Sequence, residues 1–228
     1  NGGCRLCNPH LFSFRTFTGV FLMSFLSYLI NGISLGSVYA IIALGYTMVY
    51  GIAKMLNFAH GDVIMVGGFT IFYAVSMQSW PPLVGVLIAV VLCTVLGITI
   101  EYIAYRPLRQ AASSLAVLIT AIGVSYLLQN LALLLFGANP KAFTSVVTVP
   151  ALKLADGQLT ISGETIVTIV SCLVIMTGLM IFINKTKAGQ AMLAVAEDKG
   201  AAQLMGINVN GTISLTFAIG SALAAIAG

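Results

Sequence analysis

Residues 63–100 read VIMVGGFTIFYAVSMQSWPPLVGVLIAVVLCTVLGITI, and none of them is charged. A helix needs roughly 20 apolar residues to cross the hydrocarbon core of a bilayer, where its backbone polar groups must be satisfied within the helix itself. The stretch is almost twice that length, and Trp80, Pro81 and Pro82 interrupt it near its middle. It therefore predicts two membrane-spanning helices joined by a tight turn.

Four more charge-free stretches continue this pattern: residues 16–53, 110–140, 165–184 and 200–228. The two middle stretches each predict one span, and the last predicts a span after a polar start. The first predicts one long span, or an interfacial segment over 21–30 followed by a span over 33–50. Because only 7% of the residues are charged, against about 25% in soluble domains, we expect an all-α fold, a polytopic transmembrane helical bundle.

The formal charge of +4 indicates orientation and not nucleic-acid binding, because Lys and Arg collect in the cytoplasmic loops of membrane proteins. Two basic loops hold much of it: Arg106 with Arg109, and Lys185 with Lys187 and Lys199. Two predicted spans and the loop 137–163 separate these basic loops, so both can lie in the cytoplasm, together with Lys54. We expect the loop 137–163 to lie outside, because its charges (Lys141, Lys153 and Asp156) cancel once Glu164 directly after it is included, and we expect it to form short extended or hairpin structure.

Residues 184–206, NKTKAGQAMLAVAEDKGAAQLMG, place a polar, Lys-rich segment between two apolar spans. Asp198 is a favourable N-cap and Gly206 a favourable C-terminal stop. Between them Ala201, Leu204 and Met205 share one helical face. A short amphipathic helix held between two spans on the cytoplasmic side predicts a docking surface for a soluble partner. The segment therefore favours a transporter subunit driven by another protein.

A second polar segment, NFAHGD, contains Asn57, His60, Gly61 and Asp62 between two apolar stretches. Such residues are costly near a membrane unless they face a cavity, a partner or the interface. Gly61 permits a backbone turn, and a helix beginning near Asp62 would direct its positive end at the cluster. One interpretation is a polar break that lines a substrate path. The other is a cytoplasmic turn in which Asn57 and Asp62 cap helices and His60 is incidental.

Small residues recur at spacings of three and four in several predicted spans. Such faces allow helices to approach closely in a membrane. We expect close packing at these positions: Gly32, Gly36, Ser37, Ala40, Ala43, Gly45, Gly67, Gly68, Gly220, Ala224 and Gly228.

The sequence carries no pattern typical of an enzyme. The phosphate-binding pattern G-x-x-x-x-G-K-[ST] is absent, and the two histidines are too far apart in sequence to indicate a catalytic constellation. A stand-alone secondary transporter or channel would need ion-coordinating carboxylates within its spans. All six acidic residues are expected to flank spans or to lie in loops. We therefore expect no catalytic site, no metal and no cofactor.

The two ends of the chain differ from the rest. Residues 1–22 form a poorly defined segment. One interpretation is that this segment is not native and that Met23 is the initiator. Cys4 and Cys7 have C-x-x-C spacing, but no second Cys pair completes a zinc site. We expect residues 23–228 to be a transmembrane permease domain that is incomplete at its C-terminus, and the chain to be a fragment.

Four segments together resemble one family: NGISLGSVYAIIALGYTMVYGIAKMLNFAHGDVIMVGG (31–68), EYIAYRPLR (101–109), LITAIGVSYLLQN (118–130) and GQAMLAVAEDKGAAQLMGINVN (189–210). They are similar to the LivH-type permeases of bacterial branched-chain amino acid importers, which are ABC transporters fed by a binding protein. The likeness extends from about residue 23 to the end of the chain, in the order and at the spacing of the family.

The resemblance implies a function and a set of partners. The expected function is import of Leu, Ile and Val across the bacterial cytoplasmic (inner) membrane, by a multi-pass permease of the branched-chain amino acid/ribose type. The implied partners are a second, LivM-like permease, two ATPase subunits and an extracytoplasmic amino-acid-binding protein, besides membrane lipid. Related permeases resemble those for urea, short amides or other amino acids, so these substrates are the alternative.

The resemblance also assigns the segment near residue 200 to coupling with the ATPase. ABC importer permeases carry a motif of Glu-Ala-Ala, three residues and Gly, which docks into a groove of the ATPase. Residues 200–206 keep both Ala and the Gly at that spacing, but Gly200 stands at the Glu position. The predicted ATPase-coupling loop consists of Glu197, Asp198, Ala201, Ala202, Leu204, Met205 and Gly206.

Overall fold

The computed structural model describes residues 9–110, 114–139, 141, 150, 152–154 and 159–228. The helices in this part of the chain are α1 Pro9–Ala53, α2 His60–Phe72, α3 Pro82–Ile100, α4 Ser114–Phe136, α5 Gly163–Lys185, α6 Lys187–Glu197, α7 Lys199–Leu204 and α8 Val209–Ala227. Two short strands, β1 Leu152–Leu154 and β2 Leu159–Ile161, pair antiparallel. This hairpin confirms the extended structure predicted for the loop 137–163.

Six helical segments of the described chain are long and apolar enough to cross a membrane: Ser24–Ala53, His60–Met77, Pro82–Tyr105, Leu115–Phe136, Gly163–Lys185 and Val209–Ala227. They confirm the predicted all-α polytopic bundle. Helix α1 is continuous, so the first apolar stretch forms one long span and not an interfacial segment followed by a shorter span. Residues 1–8, with Cys4 and Cys7, lie outside the described residues. The domain boundary at residue 22 falls within α1 and stays a prediction.

The turn between the second and third spans lies where the two prolines predict it. A π-helical turn, Tyr73–Met77, ends the second span, and Ser79 then adopts a left-handed conformation with φ of +53°. Pro81 is extended, as expected for a residue that precedes proline. Pro82 begins α3, at a position where a helix does not need the missing N–H.

The described residues fall into two compact units. One lies within residues 1–37 and 147–170 and contains the hairpin. The other lies within residues 38–146 and 171–228. The contacts described below for α7, Glu101 and the segment NFAHGD lie in this second unit.

Helix α8 packs against α2 and α3 in the core of the second unit. Buried side chains from all three helices meet there, among them Val63, Cys93, Ile213 and Phe217. Small residues make the approach close, because a Cβ built on Gly67 would lie 3.1 Å from the Ala225 Cα.

The small-residue prediction is therefore confirmed for part of its positions. A Cβ on Gly220 would lie 2.8 Å from a methyl group of Val49 and 3.2 Å from the Gly45 carbonyl oxygen. Gly32 and Gly36 differ, since a Cβ there would meet no atom of the described chain within 4 Å. Close packing at those two positions finds no support within the described part of the chain.

We expect Gly97→Ala to destabilise the protein by about 1–3 kcal/mol, the usual cost of overpacking a core. The new Cβ would lie 2.6 Å from the Ser221 Cβ, and the Phe217 carbonyl oxygen is 3.3 Å away. Denaturant unfolding of the purified chain in detergent measures the effect. Gly123→Ala is the matched control, because its Cβ would meet nothing within 4 Å. Ser221→Gly should restore much of the stability of Gly97→Ala, and equal stabilities of the two alanine variants would contradict the prediction.

Candidate functional site

Helix α7 has a defined beginning and end. The Asp198 Oδ1 accepts hydrogen bonds from the backbone N–H groups of Gly200 and Ala201, at 2.7 and 3.1 Å, which confirms the predicted N-cap. At the other end Gly206 has φ of +83°. The N–H of Ile207 donates to the Ala202 carbonyl and that of Gly206 to the Gln203 carbonyl. This pair of bonds is the Schellman motif, so Gly206 ends the helix as predicted.

The face predicted for docking is exposed. Leu204 is 90% exposed and Met205 is 83% exposed, and Ala201 is also exposed, as are Glu197 and Asp198 upstream. Two large, almost fully exposed apolar side chains that project from a short helix form a suitable contact surface for another protein.

Ala202 does not belong to this exposed face, and its place in the coupling loop stays a prediction. Its side chain is 4% exposed and packs in the buried cluster that contains Met192, Val195 and Ile213. Residues two apart on a helix point about 200° apart. When Leu204 faces outward, Ala202 therefore faces the interior, where it packs against the rest of the unit.

We expect Gly206→Val to destabilise the chain locally by about 1–2 kcal/mol, because L-residues other than glycine are strained at positive φ. A Cβ at Gly206 would meet nothing within 4 Å, so backbone strain alone accounts for the cost. Hydrogen exchange of the amides of α7 measures the local opening. Gly61→Val is the control, since Gly61 also has open space around it but lies in α2 with ordinary φ. Equal protection in the two variants would contradict the prediction.

The two basic loops meet at one end of the second unit, which agrees with their predicted position on one side of the membrane. The Lys199 Nζ donates to the Ala53 carbonyl at 2.7 Å, next to Lys54. The Arg109 Nη1 donates to the Asn210 Oδ1 at 2.9 Å. Burial lowers the pKa of Lys199, and the nearby charges of Arg109 and Lys54 lower it further.

Impermeant thiol reagents applied to intact cells test this orientation. We expect Leu152→Cys in β1 to react from outside, because it lies in the loop 137–163, whose charges cancel together with Glu164. Leu204→Cys should react only after the cells are opened. Both side chains are exposed, so access to the reagent and not burial decides the result. Cys4 and Cys7 are replaced by Ser in both variants. The opposite pattern of labelling would reverse the topology.

Glu101 lies within the third span, contrary to the expectation from the sequence. We expected every acidic residue to flank a span or lie in a loop, but a π-helical turn, Glu101–Tyr105, prolongs the third span and includes this residue. Glu101 is fully buried and forms an ion pair with Arg109. The Ser214 Oγ donates to its other oxygen at 2.6 Å.

This network connects α3 with the beginning of α8. The Arg109 side chain is 11% exposed, and burial lowers its pKa to about 10. It contacts Glu101 on one side and Asn210 on the other. The segment EYIAYRPLR contains both charges of the pair, so the sequence carried a signal, but not the identity of Ser214 or Asn210 as partners.

The three polar residues of NFAHGD, Asn57, His60 and Asp62, are buried, whereas Gly61 is exposed. The Tyr105 hydroxyl donates to the Asn57 Oδ1 at 3.0 Å, and the Gln129 Nε2 donates to the Asp62 Oδ1 at 3.1 Å. The His60 ring meets the Tyr46 ring edge-on, with centroids 6.0 Å apart. The His60 Nε2 and the Asp62 Oδ2 have no hydrogen-bond partner among the described residues.

Two expectations about this segment are wrong in detail. Asn57 and Asp62 do not cap helices, since α2 begins after Ala59 without a side-chain cap. Gly61 lies in the first turn of α2 with ordinary φ, so its conformational freedom is not used. The segment does form a turn between α1 and α2, and a substrate-path role for Asn57, His60 and Asp62 stays a prediction.

Across the described residues no three His, Cys, Asp or Glu side chains are placed to hold a metal ion. Cys93 and Cys172 are free and buried. The chemistry of the described site is therefore that of buried hydrogen bonds, one ion pair and an exposed apolar surface.

Comparison with known proteins identifies the family. The family model described as "Branched-chain amino acid transport system / permease component" matches residues 28–228. The permease protein BraD of Pseudomonas aeruginosa, named as part of a high-affinity branched-chain amino acid transport system, is 39% identical over 213 residues, which cover 89% of this chain and 69% of BraD. No solved structure is significantly similar to the chain.

Two further relatives agree. The LivH permease of Escherichia coli, with a name of the same kind, is 40% identical over 216 residues, or 90% of this chain and 69% of LivH. A probable LivH of Methanocaldococcus jannaschii is 27% identical over 194 residues, or 82% of this chain and 60% of the relative. These relatives are transport permeases and not enzymes, and with six candidate spans the chain is a multi-pass protein of the inner membrane. It belongs to the family of permease components of branched-chain amino acid transport systems.

Proposed function

We propose that this permease imports leucine, isoleucine and valine and is driven by ATP hydrolysis in separate subunits. The support for the substrate is the pair of relatives with 39% and 40% identity, each named for high-affinity transport of branched-chain amino acids. The support for a separate ATPase is the exposed face of α7, because exposed apolar patches mark sites of contact with other proteins.

The observation that carries the coupling role is the exposure of Leu204 and Met205 on a helix fixed at both ends. Asp198 and Gly206 define its ends, and the burial of Ala202 fixes its base. Asn210, in the first turn of α8, contacts Arg109. A displacement of α7 would therefore be transmitted to α8 and, through Arg109, to the end of α3.

The proposed partners follow from the family. They are a second, LivM-like permease, two ATPase subunits that bind the α7 surface, and an extracytoplasmic amino-acid-binding protein. The hairpin formed by β1 and β2 is the proposed part of the face that receives the binding protein. Asn57, His60 and Asp62 are proposed to line the path together with the second permease, which would supply partners for the His60 Nε2 and the Asp62 Oδ2.

Reconstitution tests the proposal. The chain is co-expressed with the products of its neighbouring genes, and uptake of radiolabelled leucine into proteoliposomes is measured with and without internal ATP. We expect uptake that requires ATP and the binding protein, with competition by isoleucine and valine but not by urea or acetamide. The chain alone should hydrolyse no ATP. Uptake of urea in place of leucine would contradict the proposed substrate. ATPase activity of the pure chain would contradict ATP hydrolysis by separate subunits.

A further inference from the structure

A cavity of about 650 Å³ opens at the basic end of the second unit. The end of α1, the loop after it, the 3-10 turn that holds Arg109, the beginning of α4 and the first residue of α7 form its walls. Three of the lining residues are cations, Lys54, Arg109 and Lys199, and none of the lining residues is acidic. All charged side chains that line the cavity in the described part of the chain are therefore positive.

The charge of two of these cations is not neutralised within the described chain. Arg109 is paired with Glu101, but the described residues contain no ion pair for Lys54 or Lys199. Lys199 uses one of its N–H groups on the Ala53 carbonyl and keeps two donors for a ligand. An anion between the two lysines would gain two charge-assisted hydrogen bonds.

The backbone of Lys54 gives an independent indication. Lys54 follows the last residue of α1, and its N–H donates to the Tyr50 carbonyl at 2.9 Å. Its φ is +56°, in the left-handed region where glycine costs least. A lysine at such a position carries local strain that glycine would avoid, and strained residues cluster at ligand sites.

The remaining walls of the cavity are aliphatic and lie at span ends. Leu56 follows the span that ends at Ala53, and Leu115, Val117 and Leu118 begin the span that starts at Leu115. This places the cavity at the depth where lipid headgroups meet acyl chains. Basic pockets between membrane helices on the cytoplasmic side bind anionic headgroups. A free inorganic anion would use the lysines but not the aliphatic wall.

We propose that this cavity binds the headgroup of an anionic phospholipid of the inner leaflet. The phosphodiester lies between Lys54 and Lys199, and the first carbons of the acyl chains lie along Leu115 and Leu118. Such a lipid joins α1, α4 and α7 at their cytoplasmic ends. It would therefore act beside the coupling surface without occupying it.

The test uses the transporter as it purifies from its native membrane, stripped of lipid and placed in phosphatidylcholine nanodiscs. Phosphatidylglycerol is titrated in, and native mass spectrometry counts the bound molecules. We expect Lys54→Gln with Lys199→Gln to weaken retention on the order of 30-fold. Each basic group near an anionic surface strengthens binding roughly five- to sixfold, and the two effects multiply. Lys185→Gln with Lys187→Gln is the matched control, because it removes the same charge from the same loop region outside the cavity and should weaken retention less than about twofold.

A second variant separates lipid binding from folding. Lys54→Gly relieves the left-handed strain, so it should unfold at the same or a higher temperature than the parent while binding phosphatidylglycerol more weakly. Equal weakening in the cavity and control variants would overturn the proposal, as would unchanged binding in Lys54→Gly. Displacement of the lipid by millimolar inorganic phosphate would show a site for a soluble anion instead. If the Lys54 and Lys199 variants lose a partner subunit but bind the lipid as the parent does, the cavity is a contact with another protein.

Discussion

Replacing Arg109 with Met should cost the chain about 3–5 kcal/mol of folding stability, because removing one partner of a buried ion pair leaves an uncompensated charge. Glu101 is fully buried, and the other group that binds its carboxylate is the neutral Ser214 hydroxyl. The contact of Arg109 with Asn210 is lost as well. Denaturant unfolding of the purified chain and its yield in the membrane fraction measure the effect.

Two variants make this prediction specific. Arg106→Met is the control, because Arg106 lies in the same loop but is exposed and stacks on the Tyr102 ring. It should change the stability by no more than about 1 kcal/mol. The double variant Glu101→Gln with Arg109→Met should be more stable than Arg109→Met alone, since it buries no charge. Equal stability of the two arginine variants would contradict a structural role for the ion pair.

Replacing both Leu204 and Met205 with Glu should reduce ATP-driven uptake by a factor on the order of ten or more, the effect expected when central contact residues are lost. The two carboxylates would have to be desolvated in an apolar groove of the partner. Folding should be unaffected, because both side chains are almost fully exposed. Uptake and binding-protein-stimulated ATP hydrolysis should fall together, and both are measured in proteoliposomes.

Gln203→Ala is the matched control for this surface, because Gln203 is exposed but lies off the face that Leu204 and Met205 share. Uptake at the parental rate by a correctly assembled double-Glu variant would show that α7 is only a connector. Ala202→Glu is unsuitable for this purpose. It would bury a charge beside Met192 and Val195, so a loss of transport would report a damaged core and not a lost contact.

The sequence predicts those features that depend on neighbours along the chain. Charge-free stretches give the six spans, Pro81 and Pro82 give the turn between two of them, and Asp198 and Gly206 give the ends of α7. Each of these signals acts within a few residues, or through the contrast between a span and a loop. The family resemblance rests on motifs of the same local kind.

The sequence could not predict features that depend on distant partners. Ser214 lies 113 residues from Glu101 along the chain, so no local pattern shows that this carboxylate is buried and compensated. The inward orientation of Ala202 depends on how α7 rests on the unit, although the helix itself was predicted. The hydrogen bonds of Asn57 and Asp62 go to Tyr105 and Gln129, on helices formed by later sequence.

The separation of Glu101 from Ser214 has a consequence for synthesis. At about 5–20 residues per second, Ser214 is made roughly 6–23 s after Glu101. Arg109 follows Glu101 after only eight residues, so the carboxylate acquires its counter-ion almost at once and the span can remain in the bilayer. The groove at Gly97 stays uncovered for longer, because its cover, Ser221 on α8, is made later still. Insertion of the third span and closure of the helix bundle are therefore separate events in the biogenesis of this permease.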